Sequence, residues 1–280
     1  MKYKIEKNTV QETLIIPLYA RKVCSELYPN LYRDETAVRL IDEIDYDFSE
    51  AEKNSRGLMQ RFGSLEVAMR QNDLAFEVRD YLKSHPNAAV VNLGCGLDST
   101  GRSCDNGSCK IYNLDFPDVI AVRNELLPAG EREENIPCDL NNTEWFRKID
   151  SSSGAVFFAS GVFYYFLTEQ VKALVQKMAD AFPGDVLVFD AANRAAVKMI
   201  AKTWLKSAKI KDVGAYFAVS DAKSELSLWD SRLQVTSRGY MLGYNDLKDP
   251  SVSGFFHFLA RVGDGMMRMQ IVKIKFRGKQ

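Results

Sequence analysis

The sequence predicts an α/β fold, a doubly wound sheet preceded by a helical region, and three observations carry it. From about Pro86 onward, short apolar runs alternate with helical stretches, the pattern of strands joined by crossover helices. Before that point apolar residues recur at helical spacing. The first apolar run ends in Gly94-Cys95-Gly96, and the next ends in Asp115, the punctuation of a nucleotide-binding sheet.

The elements follow in order. Thr9 is placed to cap a helix carrying Leu14, Ile15, Leu18 and Val23, and Pro17 inside it is expected to kink or restart it. Asp34 opens a short segment with Val38, Leu40 and Ile41. From Ser55 to Leu82 the residues Leu58, Phe62, Leu65, Met69, Leu74, Val78 and Leu82 predict one long helix, or two broken near Gly63. The run Ala88–Leu93 suits a strand buried on both faces. Further strands are expected at Lys110–Asp115, Ala155–Ser160 and Asp185–Asp190, with a weaker one near Glu134–Pro137. Helices fall at Pro117–Leu127, Thr143–Ile149 and Thr168–Phe182. After Asp190 come a helix rich in Ala and Lys, a mixed region over Ser207–Asp230 and a strand at Arg232–Met241. A helix over Val252–Val262, with Phe255, Phe258, Leu259 and Val262 on one face, precedes a final strand at Met266–Phe276.

Composition excludes several classes. Hydrophobic residues at 46% and charged residues at 26% rule out a disordered or fibrous chain. Lys plus Arg and Asp plus Glu are 37 each, so no net positive charge points to nucleic acid or a membrane surface. The uncharged stretch Ser151–Thr168 is interrupted by Ser160-Gly161 and reads as a strand and its loop rather than a membrane span. Five cysteines, and first residues without a signal-peptide apolar core, lead us to expect reduced thiols and a cytoplasmic protein. Cys104 and Cys109 match no common zinc spacing, and neither His85 nor His257 is near them, so no metal is expected.

The loop after the first strand reads Val91-Asn92-Leu93-Gly94-Cys95-Gly96-Leu97-Asp98. Its glycines allow a tight bend and close approach of a ligand to the main chain. Asp115, at the end of the next strand, is placed to accept hydrogen bonds from both hydroxyls of a ribose. Together they favour an adenosine-containing ligand over a tight turn with no ligand. A dinucleotide fingerprint needs a third glycine where Ser99 stands, which speaks against an NAD-dependent dehydrogenase. S-adenosylmethionine has no pyrophosphate and does not need it.

Thr13–Arg21 (TLIIPLYAR), Ile44–Phe48 (IDYDF), Val91–Asp98 and Leu114–Ile120 (LDFPDVI) occur in this order. Together they resemble the leucine carboxyl methyltransferase superfamily, in the branch similar to tetracenomycin-type polyketide O-methyltransferases. The resemblance is strongest between Thr13 and Leu167. It implies a class I S-adenosylmethionine-dependent methyltransferase: a Rossmann-like seven-stranded sheet over residues 87–280, an N-terminal helical cover over 1–86 and a lid near 207–230. It also implies a small-molecule acceptor methylated on a carboxylate or hydroxyl, with S-adenosylmethionine as cofactor.

By the same resemblance, Arg70 faces the cofactor's methionyl carboxylate, where a planar guanidinium pairs in a way lysine cannot copy. Gly94, Cys95 and Gly96 form the cofactor loop and Asp115 holds the ribose. Asp139, with Leu140, lies beside the adenine, although Asp139 also suits a helix cap. Phe116 borders the adenine or joins the core. Ser160, before Gly161, stands where similar proteins usually carry an acid, which keeps a catalytically silent binding protein as the alternative reading. Arg21 anchors a substrate carboxylate or makes a surface salt bridge. Tyr164 and Tyr165 follow the fourth strand and are candidates to face the substrate, with one of them expected to pack in the core instead. A carboxylate acceptor needs no general base, whereas a hydroxyl acceptor leaves Tyr165 or His257 as candidates. Asp190 and Asn193 are too loosely spaced for a magnesium site. Oligomeric state is not legible in these residues.

Overall fold

A computed structural model of the chain describes residues 2–5, 10–200, 216–245 and 247–278. Seven strands form one sheet: β1 (Ala89–Leu93), β2 (Lys110–Asp115), β3 (Glu133–Pro137), β4 (Ala155–Ala159), β5 (Val186–Ala191), β6 (Leu233–Gly239) and β7 (Gln270–Phe276). Their order is β3-β2-β1-β4-β5-β7-β6. The first five are parallel, and β7 runs antiparallel to both its neighbours. β1 pairs with β2 on one side and β4 on the other, so the strand order reverses there. A crevice opens beyond the carboxyl ends of strands at such a reversal.

Burial explains which strands stand out in the sequence. Every residue of β1 and β4 is buried, which requires unbroken apolar runs. β3 is an edge strand, partly exposed and ending in Pro137, and its composition is correspondingly polar. Alternate side chains feed two cores. Val90, Ile111, Val156 and Val188 pack with Leu65, Met69, Leu74 and Val78 of α4 (Leu58–Ser84). Val91, Leu114, Phe157 and Phe189 pack with Val171, Leu174, Val175 and Met178 of α7 (Thr168–Ala181). A third cluster joins α1 (Val10–Leu27), α2 (Glu35–Glu43) and α6 (Pro117–Leu126) through Leu14, Leu18, Leu40, Val119 and Val122. Two further helices are short, α3 (Ser49–Ser55) and α5 (Thr100–Ser103).

Several elements differ from expectation. α1 continues through Pro17, because its buried face on α2 and α4 outweighs one lost backbone donor. α4, by contrast, is the single long helix of the two readings, unbroken at Gly63. Thr143–Lys148 is a 3-10 helix. α8 spans Arg194–Ile200 and α9 Ala222–Leu226. α10 (Gly254–Gly265) buries Phe256, Ala260 and Gly263 and leaves Phe255 and Phe258 exposed, a different face from the one expected. Phe256 sets that rotation by meeting Phe62 of α4 edge-on, ring centres 5.5 Å apart. β7 starts only at Gln270, after Arg268 takes a left-handed φ of 51°. Thr9 and residues 207–215 of the expected lid lie outside the described residues. No described helix is long and apolar enough to cross a membrane.

Candidate functional site

The segments that follow β1, β2 and β4, with α1 and α4 across from them, wall one cavity of ≈ 440 Å³ at the switch point. That volume suits a small-molecule site.

The loop after β1 is locked by the chain itself. Gly94 and Gly96 have φ values of 68° and 47°, a region that disfavours side chains. A Cβ at Gly94 would stand 2.6 Å from Val162 Cγ2, and one at Gly96 3.1 Å from Leu14 Cδ2. The glycines therefore answer to backbone conformation and protein packing as well as to ligand approach. From below, Arg123 of α6, 1% exposed, donates to the carbonyls of Gly96 (2.9 Å) and Asp98 (2.8 Å). From α1, Arg21 donates to Leu97 O (2.9 Å), Asp98 (3.3 Å) and Asp34 (3.1 Å). Asp98 also accepts from Asn92 Nδ2 (3.1 Å) and from Thr100 N (2.9 Å) and Oγ1 (2.7 Å). The Arg21 charge is buried and matched within the protein, so the expected surface salt bridge is instead an internal strap from α1 to the loop.

Asp115 ends β2. Its Oδ2 accepts from Gly96 N and its Oδ1 from Phe116 N, both at 2.8 Å. Each oxygen keeps a lone pair for a ligand hydroxyl. Burial raises its pKa, and the two amides oppose that shift. Phe116, 45% exposed, turns its ring to the cavity rather than the core.

The opposite wall is α4. Arg70 Nη1 donates to Asp190 Oδ2 at the end of β5 (3.2 Å), and Asp190 Oδ1 accepts from Gly161 N (2.6 Å). The Tyr164 hydroxyl also hydrogen-bonds to Asp190. Despite burial, Asp190 holds the Arg70 guanidinium above its usual range. Gly161, at φ 69°, makes room for this pair: a Cβ there would fall 2.9 Å from Arg70 Nη1. Arg70 Nε and Ser160 Oγ are buried without a hydrogen-bond partner, so the wall carries unspent polar capacity. One turn before Arg70, Glu66 also lines the cavity; burial pushes its carboxyl up to about 7, with Arg70 opposing and Asp264 adding to the shift.

The cavity brings together Arg21, Arg70, Gly94, Cys95, Gly96, Asp115, Phe116, Leu140, Ser160, Gly161, Tyr164 and Tyr165. Asp139 is not on this wall: it is exposed, and its Oδ1 accepts from Asn141 N (2.9 Å) in a local turn, leaving Cys138 and Leu140 to line the cavity. Nor does Asp139 cap the following helix, a role taken by Asn142. His257 is also off the wall. Asn193 accepts from Ala196 N (3.0 Å) and donates to Met266 O (2.9 Å), and Asp190 is committed to Arg70 and Gly161. Sequence reasoning missed Glu66, Arg123, Tyr240 and the structural role of Asp190. A usable signal existed for two of them: Glu66 lies at i−4 from Arg70 on one helix, and Asp190 ends a parallel strand as Asp115 does.

The sequence profile of the leucine carboxyl methyltransferase family matches residues 17–179. The tetracenomycin polyketide synthesis O-methyltransferase TcmP of Streptomyces glaucescens is 27% identical over 183 residues, 65% of this chain and 66% of that protein. The S-adenosyl-L-methionine-dependent methyltransferase dpfgK of Gibberella zeae is 26% identical over 193 residues, covering 65% and 64%. Each alignment thus spans just under two thirds of the relative's length. A crystal structure from Thermobifida fusca YX has a TM-score of 0.60 at 14% identity, over 92% of this chain and 94% of that one, a likeness of fold.

Proposed function

The chain belongs to the leucine carboxyl methyltransferase family and has a class I methyltransferase fold, and on that premise we propose that it binds S-adenosylmethionine in this cavity and methylates an oxygen of a small-molecule acceptor. The observation that carries the reading is that Asp115, the Gly94–Gly96 turn and Arg70, from three separate elements, meet on one cavity at the switch point of the sheet.

The residues present fit such a ligand. Asp115 has acceptor capacity left for ribose hydroxyls. Arg70 has an unspent Nε and further N–H donors for a carboxylate. Phe116 offers an exposed ring face at the Asp115 side for a base. When bound, the sulfonium supplies an electrophilic methyl group. The chain's part is to position and to exclude water: Ile16, Pro17, Val67, Val162, Phe166 and Met269 give the wall an apolar share. Where similar proteins carry an acid, Ser160 is neutral; the nearby negative charge comes from Asp190, one strand over.

Calorimetry with S-adenosylmethionine and S-adenosylhomocysteine tests the reading, and absence of binding at millimolar ligand overturns it. The buried, unpartnered Ser160 hydroxyl keeps the silent binding protein as a second reading. A screen of aromatic acids and phenols for a methyl-sized mass gain separates the two.

A further inference from the structure

We propose that Tyr240 and Met269, which close the β6–β7 end of the cavity, are specificity-determining residues that gauge the apolar body of the methyl acceptor. The inference rests on the methyl-transfer reading above and deepens it, and it holds for a carboxylate or a hydroxyl acceptor alike.

The cavity rises beyond the level at which Arg70 would hold the cofactor's tail. α4 runs antiparallel to β5: Tyr81 meets Asp185 just before the strand (3.4 Å), and Arg70 meets Asp190 near its carboxyl end (3.2 Å). From Arg70 to Tyr81 is eleven residues of helix and from Asp185 to Asp190 five of strand, and each covers about 16 Å. Continuing outward on α4, Val67 and Glu66 stand about 4–6 Å past Arg70. On the sheet side Asp190 pairs with Ile271, and Ile271 with Arg238. Met269 and Tyr240 are two residues past that rung, about 7 Å further out. The Tyr240 amide donates to Met269 O (3.1 Å), which carries the pairing of β6 with β7 on to this level. Val67, Glu66, Tyr240 and Met269 all line the cavity, and α1 adds Ile16 and Pro17. A cofactor spanning Asp115 to Arg70 leaves this outer storey to the acceptor.

The sheet side of the storey is built under strain. Met241 follows Tyr240 at φ 67°, and Arg268 precedes Met269 at φ 51°, left-handed conformations that disfavour side chains. Leu242 N donates to Tyr240 O (3.1 Å) across Met241, the bond of a γ-turn, whose positive-φ form is rare and strained. Asp73 of α4, fully buried, accepts from Met241 N (2.8 Å) and Asn245 Nδ2 (3.0 Å). Glu77, one turn on, accepts from the Tyr244 hydroxyl (2.7 Å). A Cβ at Gly243 would overlap the Gly239 carbonyl, so the turn closes on itself only without a side chain there. Strained backbone persists where its surroundings over-determine it, and it gathers at sites that bind and react. Here it fixes the two side chains that bound the outer storey.

The surfaces of the storey suit an aromatic body. Ile16, Pro17, Val67 and Met269 offer hydrocarbon and a polarisable sulfur. Tyr240 is 3% exposed and Met269 7%, so both are packed walls that a longer acceptor runs into. Shortening Met269 opens that end without touching the residues assigned to the cofactor.

The test uses the full chain, Met269→Ala, Gly243→Ala, and acceptors of one, two and three fused aromatic rings, each as the carboxylic acid and as the phenol. Wild-type protein that binds no S-adenosylhomocysteine overturns the methyl-transfer reading and this inference with it. With binding present, M269A is expected to keep S-adenosylhomocysteine affinity within about twofold. It is expected to raise the kcat/KM ratio of larger over smaller acceptors about tenfold or more. Gly243→Ala, off the cavity wall, is expected to shift the same ratio by displacing Tyr240. General damage to the fold would lower all acceptors together and leave the ratio unchanged. An unchanged ratio in M269A, or a more than tenfold loss of its S-adenosylhomocysteine affinity, overturns the proposal. An unchanged ratio in folded G243A overturns the part given to the strained turn. Where no acceptor is turned over, calorimetry of the same compounds on the S-adenosylhomocysteine-bound protein replaces kcat/KM with Kd, and a panel that wild type and M269A bind alike, or not at all, overturns the proposal.

Discussion

Asp190 Oδ2 stands 3.2 Å from Arg70 Nη1, joining the end of β5 to α4 across 120 residues of sequence. The Asp190 side chain is 1% exposed, and its other oxygen takes the Gly161 amide. One carboxylate thus orients the arginine that faces the cavity and the turn that follows β4. Removing one partner of a buried pair strands the other charge, which costs about 3–5 kcal/mol. Asp190→Asn is therefore expected to lower the unfolding temperature. A ligand carboxylate on Arg70 would restore the missing anion, so S-adenosylhomocysteine should raise Tm more in D190N than in wild type. Equal increments in a thermal-shift comparison would detach Arg70 from the ligand carboxylate.

Asp115 leads to a less intuitive expectation. Both of its oxygens accept from backbone amides, Gly96 N and Phe116 N. An asparagine has one acceptor oxygen and must present its NH₂ to the other amide. Asp115→Asn should consequently disturb the turn and weaken S-adenosylhomocysteine as much as Asp115→Ala does, by about 1–3 kcal/mol. Calorimetry on the two variants checks this, and wild-type affinity in D115N would show that the paired amides do not set the loop.

Gly161 and Gly184 separate backbone strain from pocket geometry. Both are left-handed, at φ 69° and 99°. A Cβ at Gly161 would meet Arg70 Nη1 at 2.9 Å, whereas at Gly184 nothing lies within 4 Å. Alanine at either site is expected to cost roughly 1–2 kcal/mol of stability from the backbone alone. Only Gly161→Ala should also weaken S-adenosylhomocysteine, because Arg70 must move. Equal ligand affinity in the two variants would refute the role given to Gly161.

Much of the sheet was legible because β1 and β4 are buried on both faces and must be apolar throughout. Asp115 was legible because its distance along the chain from Gly94 follows from one strand–loop–strand passage. The Arg70–Asp190 pair was not, since nothing local marks a partner 120 residues away. Glu66 was hidden for a different reason. Helical periodicity treats polar positions as solvent-facing, yet α4 buries Ser64, Gln71, Asp73 and Glu77 alongside its apolar stripe. In α10 the crowded run Phe255-Phe256…Phe258-Leu259 offers two apolar stripes, and contact with Phe62 on another helix chose between them. Asp139 shows the converse: a motif position carried over from relatives turns outward here because its side chain caps its own turn.

The buried acids of α4 and its neighbours give the stability a definite pH slope. Burial raises Asp73 to about 8, Glu66 and Asp264 to about 7, and Asp185 to about 6. Each binds its proton more tightly folded than unfolded, so its contribution is fully present below the unfolded carboxyl range near 4 and is lost as pH rises through these values. The acids held low by arginine or lysine, Glu133, Asp105 and Asp150, are ionised throughout pH 5 to 8 and leave this window unaffected. The urea midpoint is therefore expected to fall from pH 5 to pH 8. Asp73, fully buried, accepts from Met241 N (2.8 Å) and Asn245 Nδ2 (3.0 Å). Asparagine at position 73 can keep both bonds, because a flipped Asn245 amide offers its oxygen instead. Asp73→Asn should thus match wild type at pH 5, exceed it at pH 8 and show a shallower slope. A midpoint that rises across this range, or a slope in D73N as steep as that of wild type, would remove Asp73 as its source.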